Sequence, residues 1–262
     1  MRQNSFDTYS KVYDEDFTFS PIGKMQRARV HYFLNKKLSG IKRALEINCG
    51  TGEDAKWLAK NGILVTATDI STGMIEVCKS KQISNTDFIE CDSRKIRSAF
   101  TDNTFDLIFS NFGGLNCLNP KEIKQFLSDS SALLNSKGLL AAVIMGRKCT
   151  WERMYFKRKK DACINRRRST TGVETIIDGQ KFLTHYYTPT EFYNSGKEHF
   201  NLICCKPIGF FIPPSYFNGY FKNKRILLNL LYSFEKIAPF SFLANGADHY
   251  LIVLQKKTAG TS

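Results

Sequence analysis

Hydrophobic residues in this chain fall in short, near-continuous runs separated by stretches of helical period. Arg43–Asn48 (R-A-L-E-I-N), Ile63–Asp69 (I-L-V-T-A-T-D), Thr86–Ile89, Phe105–Asn111 (F-D-L-I-F-S-N) and Gly138–Met145 (G-L-L-A-A-V-I-M) each read as a strand. Runs that are apolar on both faces belong to a sheet covered by helices on both sides, the usual setting of parallel strands. The intervening helices are Asp54–Asn61, stopped by Gly62, a helix through Lys79 capped from Ser71-Thr72, and Lys121–Leu134. Upstream, Val30, Phe33, Leu34 and Leu38 lie near one face of a helix within the first 40 residues. Alternating strands and helices predict a doubly wound α/β sheet, mostly parallel, which binds ligands beyond the carboxyl ends of its strands.

The pattern changes after Met145. Trp151–Ile164 reads as a basic helix, and Gly172–Ile177 and Gln180–Tyr187 flank Asp178-Gly179, a hairpin turn signal. Thr188-Pro189 opens another helix, Phe200–Phe211 is strand-like, Tyr216–Ile237 is aromatic and amphipathic, and Asp248–Gln255 is a final strand. This predicts seven strands with cap segments inserted after the fifth and sixth. The organisation is an N-terminal helical lid (1–40), a core (41–146), a first cap with basic helix and hairpin (147–198), and the end of the sheet with a second cap helix (199–262), all in one compact domain.

Composition narrows this modestly. The 262 residues carry a net charge of +14. Residues 1–150 contribute +5 and residues 151–262 contribute +9, while Arg153–Arg168 alone holds eight basic residues against one acid. The basic character is therefore local. It suits an acidic carrier protein, an anionic membrane surface, an anionic substrate or nucleic acid, and equally a solvated helix face. The eight cysteines form no regular framework and no C-x-x-C pair, so they read as reduced, buried small hydrophobes with no metal site. Cys204 and Cys205 should point to opposite faces of their strand. No run reaches the roughly 20 apolar residues of a membrane span. The N-terminus lacks the apolar stretch of a secretory signal, so the expected location is the cytoplasm, with peripheral membrane contact open.

The chemistry sits at the strand ends. A glycine-bearing turn, Asn48-Cys49-Gly50-Thr51-Gly52, follows Glu46 at the end of the first strand. Glycines there let a ligand approach the backbone closely. Asp69 ends the second strand, Cys91-Asp92-Ser93 follows the third, and Ser110-Asn111-Phe112 closes the fourth. Over about residues 40–146 this set resembles the class I S-adenosylmethionine-dependent methyltransferase superfamily, whose first motif is an acidic residue followed by G-x-G-x-G. Asn48 replaces the first glycine, and Asn tolerates left-handed dihedrals best among the other residues.

The resemblance implies S-adenosyl-L-methionine as cofactor, with S-adenosyl-L-homocysteine as product. Glu46 would orient the cofactor's amino group, with Asn48, Cys49, Gly50 and Gly52 forming the loop beneath it. Asp69 would accept both ribose hydroxyls. Ile70 and Met74 would lie against adenine, Asp92, flanked by Cys91 and Ser93, would receive its amino group, and Asn111 would line the methionine end. Tyr13 matches an N-terminal lid residue of many small-molecule members.

For the acceptor, the sequence offers two histidines as general bases: His185, at the edge of the first cap, and His249, at the start of the last strand. Phe112, Tyr186 and Tyr187 are candidate pocket residues. The position after the fourth strand lacks [DN]-P-P-[FYW], and no cysteine follows a proline, which disfavours the common base-methylating chemistries. The aromatic second half instead points to O- or C-methylation of a small aromatic or lipophilic metabolite, nearest to quinone, polyketide and secondary-metabolite methyltransferases. Methylation of RNA at ribose or guanine, and a non-catalytic binding role, stand as alternatives. The sequence does not give the oligomeric state.

Overall fold

The computed structural model describes residues 5–101, 104–159, 167, 172–177 and 180–258. Five parallel strands form its centre: β1 (Arg43–Ile47), β2 (Leu64–Asp69), β3 (Thr86–Glu90), β4 (Phe105–Ser110) and β5 (Leu134–Met145). Two more, β8 (Phe200–Ile208) and β9 (His249–Lys256), extend the sheet to the order β3-β2-β1-β4-β5-β9-β8. β9 runs antiparallel to both neighbours. A separate antiparallel hairpin, β6 (Val173–Ile177) with β7 (Gln180–Thr184), lies in the first cap. Its turn residues, Asp178 and Gly179, fall outside the described residues, as do 160–166 and 168 of the basic stretch.

Through the middle of the sheet, side chains alternate between its two faces. On one side Leu45, Ile108, Leu140 and Ile252 pack under α6 (Pro120–Leu133) and α8 (Pro189–Gly196) through Ile123, Phe126, Leu127 and Phe192. On the other, Ala44, Val65, Leu107, Val143 and Val253 pack against α2 (Pro21–Asn35), α3 (Glu53–Lys60) and α4 (Thr72–Ser80). Cys205 joins the first cluster and Cys204 the second, as the alternation of a strand requires. Cys49, Cys78 and Cys149 are buried and Cys91, Cys204 and Cys205 partly so, but Cys117 is exposed, against the expectation of a buried hydrophobe. β3 also departs from the apolar-run picture: as an edge strand it leaves Asp87, Ile89 and Glu90 exposed.

Caps begin and end several elements. Ser20 accepts from the Gly23 N–H with Pro21 at the first helical position of α2, and Asn119 and Thr188 form full capping boxes with Glu122 and Glu191. Ahead of α2, α1 (Ser5–Tyr13) runs into a π-helical turn, Asp14–Thr18. α1 lies across the start of α4, where the Asp7 carboxylate accepts from the Ser71 hydroxyl and the Gly73 N–H (3.1 Å).

The remaining helices are α5 (Ile96–Ala99), α7 (Thr150–Lys159), α9 (Asn218–Phe221) and α10 (Arg225–Ile237). The first cap is anchored by a buried Arg167, paired with Glu152 of α7 and with Asp248 (2.7 Å). Arg167, at least, of the basic stretch therefore belongs to the interior. The second cap is closed by Glu235 of α10, whose carboxylate accepts the backbone N–H groups of Gly209 (2.8 Å), Phe210 (3.4 Å), Phe211 (2.7 Å) and Ile212 (3.3 Å).

Candidate active site

The strand order reverses between β1 and β4, and the candidate residues gather at the carboxyl edge of that point. Beyond β1 the loop turns through three left-handed residues: Asn48 (φ +57°), Gly50 (φ +53°) and Gly52 (φ +81°). Asn48 thus adopts the conformation usually left to glycine. Its side chain sits where a β-carbon on Gly114 would come within 2.5 Å, so the Gly113-Gly114 pair after β4 makes room for it. The Tyr13 ring lies against Gly50, where a β-carbon would meet it at 3.6 Å.

Asp69, at the end of β2, fastens this loop. Its two carboxylate oxygens accept from the Gly50 N–H and the Ser71 N–H, each at 2.9 Å. Burial raises its pKa to about 6, although these backbone donors pull the other way. Glu46 is buried beside it, and one of its oxygens, Oε2, has no hydrogen-bond partner. Burial first, and the neighbouring Asp54 charge second, push Glu46 well above the usual carboxylate range.

Asp54 shows the opposite behaviour. Burial alone would raise it, but the Arg27 guanidinium (3.3 Å), His31 Nε2 (2.6 Å) and the Asn111 side-chain amide (2.9 Å) hold it far below the ordinary value. Asn111 therefore faces Asp54 from just past β4. His31 is also stacked on Trp57 (4.0 Å). This network spans α2, α3 and β4, and no local spacing announces it. A second missed cluster ties Lys81 to Asp14 (2.7 Å) and Glu53 (3.0 Å), with the Thr51 hydroxyl also donating to Asp14. It clasps the π-helical turn to the glycine loop.

Beyond β2 and β3 opens a cleft of about 440 Å³ lined by Ile70, Glu90, Cys91, Asp92, Lys95, Ser98 and Ala99. Three expectations change here. Met74 is 2% exposed, leaving Ile70 as the apolar residue of that pair in the cleft. Ser93 is buried and absent from the lining. Asp92 binds Arg94, accepting from its backbone N–H (2.9 Å) and its side-chain Nε (2.9 and 3.0 Å).

The other flank is aromatic. Phe112 holds a left-handed φ of +46°, uncommon for a bulky residue and a form of strain that clusters at functional sites. Its ring meets Phe17 edge-on at 4.9 Å and His249 edge-on at 5.8 Å, with Arg27 above it at 5.2 Å. His249 Nδ1 stands 3.1 Å from Asp248 Oδ2. Asn116 fixes His185: it accepts the His185 N–H at its own carbonyl (2.7 Å) while its side-chain amide donates to the His185 and Met145 carbonyls. The His185 Nδ1 atom is buried without a partner, and burial lowers the ring's pKa. Tyr186 lies under Arg167 (5.1 Å). Tyr187 is in the core instead of on a pocket wall: its ring packs by Phe192 and its hydroxyl donates to the Leu118 carbonyl.

Against known proteins, residues 44–138 match the family described as methyltransferase domain. Over those residues the chain is similar to that family. The match takes in β1 to β4, α3 to α6 and the start of β5, and leaves residues 1–43 and 139–262 outside it. A Geobacillus sp. (strain WCH70) protein described as a methyltransferase is 31% identical over 142 residues, covering 52% of this chain and 56% of its own. The demethylmenaquinone methyltransferase of Clavibacter sepedonicus is 30% identical over 119 residues, covering 45% and 48%. The chain spans about half the length of the curated relatives it matches. Among solved structures, the CcbJ methyltransferase from Streptomyces caelestis superposes with a TM-score of 0.64 at 15% identity, covering 98% of this chain and 99% of that one, a likeness of fold.

Proposed function

We propose that the chain transfers the methyl group of S-adenosylmethionine to the oxygen or carbon of a small aromatic or lipophilic acceptor. The observation that carries this reading is the pairing of Asp69 and Glu46 on adjacent strand ends around the left-handed loop Asn48–Gly52. The residues fit that cofactor. Glu46 keeps a buried oxygen without a partner, suited to an amino group or the water that holds one. Each Asp69 oxygen has one backbone donor and keeps a second acceptor site for a ribose hydroxyl. The cleft beside Ile70, Cys91 and Asp92 is suited to a base. Bound there, S-adenosylmethionine would supply a methyl group activated on a sulfonium.

The protein's part is then to position the acceptor, exclude water and manage a proton. Phe112, Phe17 and Arg27 form an aromatic and cationic wall beside the loop. His249 borders that wall and is the favoured base for an acidic hydroxyl or carbon, with Asp248 orienting its ring. His185 is the second candidate: its lowered pKa keeps the ring neutral and able to accept a proton. The lipophilic class of acceptor is supported by this wall, and by the quinone-type activity in the name of the Clavibacter relative.

Calorimetry with S-adenosylmethionine tests the donor half. The parent chain should bind, and Asp69→Ala should weaken binding about tenfold or more, the worth of two hydrogen bonds to a charged acceptor. No binding, or a loss of fivefold or less, would refute the assignment. A methyl-transfer screen over phenols and quinones tests the acceptor, with His249→Ala expected to lose turnover while keeping cofactor affinity.

A further inference from the structure

The outer surface of the second cap is unlike the rest of the molecule. α10 turns Leu228, Leu231, Tyr232 and Glu235 inward, where Leu228 packs with Ile22, Ile212 and Phe221. Its opposite side should then be polar. Instead Ile226, Leu230, Phe234 and Ile237, with Leu227 beside them, recur at three- and four-residue spacing and form one outward ridge. Ile226 is 89% exposed and Ile237 is 71% exposed. Just past the helix Phe240 and Phe242 stack on each other at 5.6 Å, and they too are largely exposed. Soluble surfaces seldom carry so continuous an apolar strip without a partner.

The charges around the ridge have one sign. Between Gly209 and Ala247 the only acid is Glu235, and it is buried on the loop amides; Lys222, Lys224, Arg225 and Lys236 are exposed. The neighbouring α7 adds Lys157, Arg158 and Lys159 and packs on the same cap through Tyr155 and Phe217 (5.2 Å). Tyr216 and Tyr220, amphipathic and exposed, sit where the two meet, and Lys224 lies 3.4 Å over the Tyr220 ring.

The geometry points to α10 and the Phe240–Phe242 turn as a membrane-docking surface that lies flat in the headgroup layer of an anionic bilayer. An apolar helix crest bordered by cations and aromatic residues is the form of an interfacial helix. The cations complement anionic headgroups, and the tyrosines suit the polar boundary. A second copy of the chain fits less well, because a self-complementary contact would find no exposed acid in this segment to answer its lysines and arginine. A folded protein partner would more naturally offer a groove to a helix than be met by a crest. The surface stands independently of the cofactor assignment. Its inner side, through Ile22 and Ile212, adjoins the helix that carries Arg27.

Flotation of the full chain with vesicles tests this. Vesicles of equimolar phosphatidylcholine and phosphatidylglycerol should carry the protein up the gradient, less so as salt rises, and phosphatidylcholine alone should carry far less. The double substitution Ile226→Asp with Ile237→Asp should lower the bound fraction about tenfold or more, since both side chains leave the hydrocarbon boundary. These two residues are exposed, so an unchanged thermal midpoint should accompany the loss. Lys222→Glu with Lys236→Glu should remove the preference for phosphatidylglycerol. Failure of the parent to bind anionic vesicles at low salt would overturn the proposal. So would binding that ignores the isoleucine pair, or a concentration-dependent dimer, dispersed by that pair, with no vesicle binding. Calorimetric cofactor binding is read separately, so the two readings can fail independently.

Discussion

Asp69 is held in a tension that makes its protonation state measurable. Burial raises its pKa to about 6, while the Ser71, Gly50 and Ile70 backbone groups favour the ionised form. Only the carboxylate can accept from two ribose hydroxyls while keeping its backbone donors, so cofactor binding selects the ionised state and lowers the pKa in the complex. Affinity is therefore at its full value above about pH 6 and falls as pH drops below that point, until the complex too is protonated. Calorimetry across that range should show the step, and Asp69→Asn should flatten it. A pH-independent affinity in the parent would contradict this. Asp69 and the left-handed Asn48 were legible in the sequence because strand ends and turn residues leave local signatures. The clamp on Asp54 was not: Arg27, His31 and Asn111 reach it from 27, 23 and 57 residues away. His31 is engaged there.

At the scale of elements, the alternation of apolar runs and helical periods placed every strand of the sheet, with no end shifted by more than four residues. The larger shifts have causes. β5 begins at Leu134 because that residue pairs with Phe105 across a register irregularity, which no hydrophobic pattern displays. The stretch read as one amphipathic segment from Tyr216 to Ile237 breaks around Lys222–Lys224, where Phe221 turns into the cluster with Ile22 and Ile212. α10 then depends on a polar contact that periodicity cannot foretell, since Glu235 lies on its buried face. Glu235→Ala would leave four backbone N–H groups of the loop after β8 without their acceptor. Urea unfolding should show a loss of about 3 kcal/mol or more. Glu235→Gln, which keeps one acceptor oxygen, should lose less. A change under about 1 kcal/mol for the alanine variant would mean that water replaces the carboxylate.

For the whole molecule, the N-terminal segment is fastened to the carboxyl edge of the sheet. α1 is tied to α4 through Asp7, the π-helical turn to the glycine loop through Asp14 and Lys81, and Tyr13 covers Gly50. A ligand at the loop should therefore hold α1 and the π-helical turn in place. S-adenosylhomocysteine at saturation should slow proteolytic cleavage within residues 5–18 several-fold, roughly as mass action on a closed state requires. Equal cleavage with and without it would show that this segment is indifferent to the site. Among the described residues no helix is long and apolar enough to cross a membrane.

The position of β9 bears on how the chain comes together. It is the last strand in sequence, yet it lies inside the sheet, between β5 and β8. During synthesis β2 to β5 each emerge with one sheet neighbour already made. β8 emerges with no partner, its amide edge open, and can join only after residues 249–256 have left the ribosome. Until then the growing chain also leaves open the edges of β5 and β8 that the finished sheet pairs, and these invite pairing with another molecule. The molecule is thus most prone to aggregate in the interval before its final strand emerges, however stable the finished sheet.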